Sequence, residues 1–261
     1  MDSKNKVEIK KEMWDFVLWN MFGISSEDMA CTDPQRQRAI AEKCADTAFL
    51  DLRRTLRYND QSSESDREAF RDEVNGIIAD ELSELLSKTE QGGFDEAHNE
   101  ICEEIIKAAK NSSVIKSEEF HYGHAQKWLN MTLKYMYLLG LWEEELERVI
   151  PWMHVPVDRY ILKAAASSES ERKSSKSKHK KSSECYLKLN EAVPEIDGDE
   201  SGQTRYGSYR WKSKAWSRWN REEYCHFQNE LRKAISEKEE WDCPFFWEED
   251  AWIEQAQLDQ K

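Results

Sequence analysis

Gly123-His124-Ala125-Gln126-Lys127-Trp128-Leu129-Asn130-Met131-Thr132-Leu133-Lys134-Tyr135-Met136-Tyr137-Leu138-Leu139-Gly140 is the stretch that decides the fold. Its apolar residues, Trp128, Leu129, Met131, Leu133, Met136 and Leu139, cover most of a helical circumference. A helix that is apolar nearly all round is buried, and a buried helix needs other elements around it. One stripe stays polar: Gln126 and Lys127, then Asn130, then Lys134. Polar groups on a buried helix need partners, water or a cleft, because an unpaired one is costly.

The segments around this stretch repeat with a helical period. Met13, Trp14, Val17, Leu18 and Met21 form one apolar stripe that Phe22-Gly23 ends. A second helix is expected from Asp33, as N-cap before Pro34, to Tyr58-Asn59. A third, capped by Ser63 or Ser65, carries Phe70, Val74, Ile77, Ile78, Leu82 and Leu85, and Gly92-Gly93 breaks the pattern. A fourth runs through Phe94, His98, Ile101, Cys102, Ile105 and Ile106. Residues 167–183 are a low-complexity Ser/Lys run, expected to be a flexible, solvated basic loop. A last helix is expected from Ser217 to Lys238, with Trp241, Phe245, Phe246, Trp247 and Trp252 docking back on the body. Strand signals are sparse, so the predicted fold is all-α and multi-helix. The predicted regions are 1–111, an N-terminal helical region; 112–166, carrying the site; 167–183, the loop; and 184–261, a C-terminal helical region.

Composition narrows the function classes. The 261 residues are 39% apolar, enough for a large core, and no run is long enough to span a membrane. MDSKNKVEIKKEMW lacks the apolar region of a signal peptide, and the six cysteines are scattered without a CxxC pair. A cytoplasmic protein with reduced thiols, no metal and no cofactor is expected, with a monomer favoured. His98 and Cys102 share one helix face, but without a second pair they are read as core positions. The net charge of −14 argues against indiscriminate nucleic-acid binding. Positive charge is local: Arg205, Arg210, Lys212, Lys214, Arg218 and Arg221 lie in 201–221, which holds no acidic residue.

Lys127 and Asp158 are the candidate catalytic pair. A lysine attacks a sugar or carbonyl carbon only as the free amine, which an apolar setting and a second cation such as Lys134 favour. Asp158 follows Pro156-Val157 and precedes Arg159-Tyr160-Ile161-Leu162, a helix start where backbone donors keep a carboxylate ionised. Such a carboxylate can stabilise an oxocarbenium cation. The competing reading makes Asp158 an ordinary N-cap and Lys127 a surface lysine.

Gly-x-Ala-x-Lys opening an apolar helix, followed downstream by Pro-Val-Asp, resembles the active-site stretch of helix-hairpin-helix DNA glycosylases. The lysine-to-aspartate separation is more similar to the archaeal 8-oxoguanine glycosylase branch than to the endonuclease III branch. The resemblance covers about residues 115–165. It implies a two-lobed helical fold with a cleft, Lys127 as the Schiff-base nucleophile and Asp158 as the aspartate needed for base excision. Ala125 stands where the family has its second hairpin glycine, Phe120-His121-Tyr122 replaces the usual Leu-Pro-Gly, and no cysteine cluster for an iron–sulfur centre exists.

The expected partner is DNA with a modified or damaged base extruded from the duplex. In RYGSYRWKSKAWSRW (205–219), cations alternate with aromatic rings. Arg210, Trp211, Lys212, Lys214, Trp216 and Trp219 would neutralise phosphates and stack on bases, unless the tryptophans are core residues at helical spacing. His121, His124, Trp152, His154 and Arg159 flank the pair, and with Gln126, Asn130 and Lys134 they are candidates to line a base pocket. The function expected is base excision, with or without strand cleavage, specialised for modified phage DNA as an antiviral defence. The alternative is a non-enzymatic helical adaptor that binds nucleic acid or protein. A toxin or nuclease ranks last, because no paired acidic metal cluster is present.

Overall fold

The computed structural model of the chain describes residues 11–116, 118–166, 185, 187–194 and 214–259. They form an all-α fold of α1 (Lys11–Phe22), α2 (Ser26–Met29), α3 (Pro34–Leu52), α4 (Glu64–Leu86), α5 (Gln91–Asn111), α6 (Tyr122–Leu138), α7 (Glu143–Val149), α8 (Arg159–Ala166), α9 (Arg221–Ser236) and α10 (Pro244–Asp259). Among the described residues there is no strand, only an isolated bridge between Tyr58 and Ile115. No helix among them is long and apolar enough to cross a membrane.

The apolar stretch becomes α6, the central helix. It packs against α3, α5 and α9, and α3 and α5 each also pack on α4. Trp128 sits at its middle, fully buried, with its ring tilted against Phe49 and edge-on to Phe70. Its indole N–H donates to the Ala45 carbonyl at 2.8 Å, which satisfies the one polar atom of a large apolar side chain. Gly140, at φ 66°, ends the helix in the left-handed conformation.

The caps hold where the sequence places them. Asp33 accepts the Arg36 N–H ahead of Pro34, and Ser63 forms a capping box with Asp66. Three boundaries differ. α3 stops at Leu52 rather than Tyr58, because Arg53–Thr55 tightens into a 3-10 turn. Gly92-Gly93 does not break a helix but lies in the first turn of α5. α9 begins at Arg221, behind Asn220 as cap, and Trp216–Arg218 is a separate 3-10 turn. The α1 stripe is only half buried: Leu18 is core, whereas Met13 and Met21 are exposed. The predicted loop 167–183 lies outside the described residues, as do Arg205 and the segment of 205–219 up to residue 213.

Candidate functional site

α6 carries two polar rows. Lys127 and Lys134 face α8 and α10, while Gln126 and Asn130 face α9 and α5. The first row brings the predicted pair together. Lys127 Nζ donates to Asp158 Oδ2 at 3.1 Å, with Lys127 only 4% exposed. The two groups touch; they do not face each other across a gap. Asp158 caps α8: its Oδ1 accepts the N–H groups of Tyr160 (2.9 Å) and Ile161 (3.1 Å). Oδ2 also accepts the indole N–H of Trp252 at 3.1 Å. Burial works to raise the Asp158 carboxyl's pKa, but Lys127, the backbone donor and Trp252 outweigh it and hold it below 3.8. Capping and ion pairing thus act on separate oxygens of one carboxylate, whose side chain keeps 16% exposure.

Around this pair stand groups that sequence reasoning missed. Lys134 pairs with Glu248 of α10, which is fully buried and pushed above the ordinary glutamate value by that burial. Asp51, at the end of α3, accepts the Tyr135 hydroxyl at 2.8 Å, and burial raises its pKa too. Trp252 is 38% exposed and stands edge-to-face with Tyr160 at 5.1 Å. Of Glu248, Asp51 and Trp252 the sequence reading placed only Trp252, in an aromatic tail docking on the body, because nothing in the local pattern shows that α10 docks on α8.

The second row needs no cleft, because protein groups satisfy it. The Gly123 carbonyl can only accept, so Gln126 Nε2 donates to it at 2.9 Å and Gln126 Oε1 faces Asn130. Asn130 Nδ2 therefore donates to Gln126 (3.0 Å) and to Tyr224 Oη (2.8 Å), leaving its Oδ1 for His98 Nε2 at 2.8 Å. The Tyr224 hydroxyl then donates to His154 Nδ1 at 2.9 Å, and His154 Nε2 donates to Asp95 Oδ1 at 2.8 Å. Arg232 grips both Asp95 oxygens at 2.9 and 2.7 Å. Burial would raise the Asp95 carboxyl's pKa, but His154 and Arg232 hold it well below the usual range. Burial also keeps His98 and His154 neutral by lowering their pKa values. Asp95, His154 and Arg232 line an outward cavity of about 450 Å³ between α5 and α9, on the row of α6 opposite Lys127.

This chain of bonds fixes the approach to Asp158. Gln228 binds both the N–H (3.1 Å) and the carbonyl (2.7 Å) of Val155, and Gln126 accepts the Val157 N–H at 3.4 Å. Residues 153–158 have no regular secondary structure, so side chains of α6 and α9 do the work that a ladder would do in a sheet.

Several candidates have other roles. Trp216 and Trp219 are buried, Trp219 completely, with its indole N–H donating to the Lys214 carbonyl at 3.1 Å. Their faces belong to the core and cannot stack on bases. Lys214 pairs with Glu223 at 2.8 Å. Gln126 and Asn130 are structural members of the network and do not line the cavity between α5 and α9, whereas His154 belongs to the network and also lines that cavity, away from Lys127. Lys134 is neutralised by Glu248. His124 is buried, with burial pushing its pKa down to about 4, and its Nδ1 accepts the His121 N–H. His121 is half-buried and lies 6.0 Å, ring to ring, from His124. Trp152 is half-buried and its carbonyl accepts from Arg232. Arg159 is exposed, with its guanidinium over the Tyr160 ring. Arg210, Trp211 and Lys212 lie outside the described residues.

The glycine of Gly-x-Ala-x-Lys serves packing. A Cβ on Gly123 would lie 1.9 Å from the Trp216 carbonyl oxygen, and the Gly123 N–H donates to the Trp219 carbonyl at 3.1 Å. That donor is spent inside the protein and is not presented to a phosphate.

No known protein family, curated protein or solved structure matches the chain.

Proposed function

We propose that this chain is a DNA glycosylase that cleaves the N-glycosidic bond of a modified or damaged base. The observation that carries the reading is the contact of Lys127 with an ionised, partly exposed Asp158 that caps α8. As the base leaves with the bonding electrons, positive charge develops on the sugar at C1′ and its ring oxygen. A carboxylate held ionised beside that position stabilises it. Passing the Lys127 proton to the departing base leaves a free amine. That amine adds to C1′ in the lyase mode or orients a water in the hydrolytic mode. Trp252, exposed at the rim and bonded to Asp158, offers an extruded base a flat face.

The resemblance to helix-hairpin-helix glycosylases supports this reading, and the acidic body supports a specialised substrate such as modified phage DNA over general genome scanning. The alternative is a non-enzymatic helical adaptor; Trp216 and Trp219, as core residues, supply a stacking surface to neither reading. The deciding assay measures abasic-site formation on DNAs carrying different base modifications. The wild-type protein should release one base class, and Asp158→Asn should abolish release. Lys127→Gln should lower release at least about 100-fold, the scale of a lost proton-transfer group. Unchanged release in both variants would refute the proposal.

A further inference from the structure

Several arginines among the described residues form ion pairs. Arg36, Arg38, Arg67, Arg71 and Arg232 hold Asp28, Asp80, Glu64, Asp46 and Asp95. Arg53, Arg54 and Arg57 differ: all three are exposed, and no carboxylate among the described residues forms an ion pair with them. They lie within five residues, on the turn that ends α3.

The turn is stiff for reasons visible in Leu-Arg-Arg-Thr-Leu-Arg (52–57). Leu52 and Leu56 are buried and point the arginines outward. The Leu56 N–H donates to the Arg53 carbonyl at 3.3 Å, and Thr55 Oγ1 donates to the Leu52 carbonyl at 2.7 Å. The Lys116 N–H then pins the Arg57 carbonyl at 2.8 Å. The turn also borders the site. Asp51 precedes it directly and accepts the Tyr135 hydroxyl of α6, the helix that carries Lys127, at 2.8 Å, within electrostatic reach of Arg54, Lys127 and Asp158.

Three unpaired guanidiniums on a rigid turn are suited to phosphate, whose oxygens match the guanidinium fork. We propose that Arg53, Arg54 and Arg57 form the contact to the DNA backbone beside the nucleotide that enters the Lys127–Asp158 site. The placement rests on the glycosylase reading; the contact itself does not require chemistry to be observed. It also explains how a protein of net charge −14 can hold DNA, by concentrating uncompensated cations at one edge of the site.

The test is fluorescence anisotropy of a labelled DNA duplex across a salt series. Each neutralised phosphate contributes about 0.9 to the slope of log affinity against log salt. The variant Arg53→Gln/Arg54→Gln/Arg57→Gln should therefore lose about 2.7 of that slope. Between 50 and 200 mM salt the wild-type affinity should fall about 40-fold more than that of the variant. A control of equal charge change, Arg36→Gln/Arg38→Gln/Arg67→Gln, should keep the wild-type slope. Equal slopes for wild type and variant, an equal loss in the control, or no wild-type binding at 50 mM would each overturn the inference. Should the wild type release no base while the slopes still separate, the glycosylase reading falls and this contact stands. The Arg54→Gln single variant, expected to lose about 0.9 of slope, supplies the same comparison at one position.

Discussion

Replacing Gly123 with alanine should destabilise the protein, although alanine is the better helix residue. Without tertiary constraints the change would stabilise α6 by about 1 kcal/mol. Here the added Cβ would meet the Trp216 carbonyl oxygen at 1.9 Å, its carbon at 2.9 Å and the Ser217 carbonyl carbon at 3.0 Å. These are backbone atoms, so no side chain can swing away. The 216–219 turn would have to move by more than 1 Å to restore a C···O contact of roughly 3.3–3.6 Å. Overpacking of this kind costs about 1–3 kcal/mol, and loosening the Gly123 N–H bond to Trp219 costs about 1 more. Set against the helix gain, the net loss is about 1–3 kcal/mol. With a urea dependence near the upper end of the usual range, about 3 kcal/mol/M, the unfolding midpoint should fall by roughly 0.3–1 M. Tryptophan fluorescence reads this directly, since Trp216 and Trp219 are buried at the point of strain. An unchanged or raised midpoint would refute the packing argument. A glycine kept for phosphate contact predicts the reverse pattern, with stability intact and DNA affinity reduced.

Stability should fall in two stages as pH is lowered. His98, His124 and His154 have folded pKa values below the ordinary 6.5, so the unfolded chain takes up protons first. Their contribution is complete above about pH 6.5 and is lost as pH falls toward the folded values. Asp95 and Asp158 lie below the ordinary 3.8, so their contribution is complete above about pH 4 and is lost below it. Thermal melts from pH 8 to pH 2 should show a first decline starting near 6.5, opposed in the carboxylate range by Asp51 and Glu248, whose raised carboxyls protonate first in the folded state, and a steeper decline below 4. Unshifted histidine titrations by NMR would contradict the neutral-histidine assignment. Trp252→Phe removes the N–H donor to Asp158 Oδ2 but keeps a ring against Tyr160. It should change stability by no more than about 1 kcal/mol while raising the Asp158 carboxyl's pKa, as measured by NMR titration. An unshifted Asp158 would show that the indole bond does not act on the carboxylate.

Much of the helical architecture was legible because it rests on local chemistry. Asp33 before Pro34 and Ser63 before Asp66 cap helices within three residues of themselves, and the structure keeps both. That Lys127 and Asp158 form a pair was legible from residue type and from the helix starts that flank them; that the two side chains touch was not. The errors have a common cause. Gly92 and Gly93 are tolerated at the start of α5, where helix propensity matters less than the packing of Phe94 and Ile101. Trp216 and Trp219 were ambiguous between stacking and core, and only the proximity of Gly123 decided for the core. Glu248 and Trp252 lie 90 or more positions from the aspartate they surround, so no local pattern could assign them.

The amino-acid sequence by itself determined that the chain is helical, where several helices begin, and that α6 is buried with a polar stripe. Periodicity and capping are short-range and survive without knowledge of the fold. Tertiary structure alone decided what that stripe does. Burial forced each polar atom of Gln126 and Asn130 to find a partner, and those partners, Tyr224, His98 and the Val157 backbone, come from distant segments. The same requirement drew Lys127 onto Asp158, because a buried ammonium is tolerable only beside a charge of opposite sign.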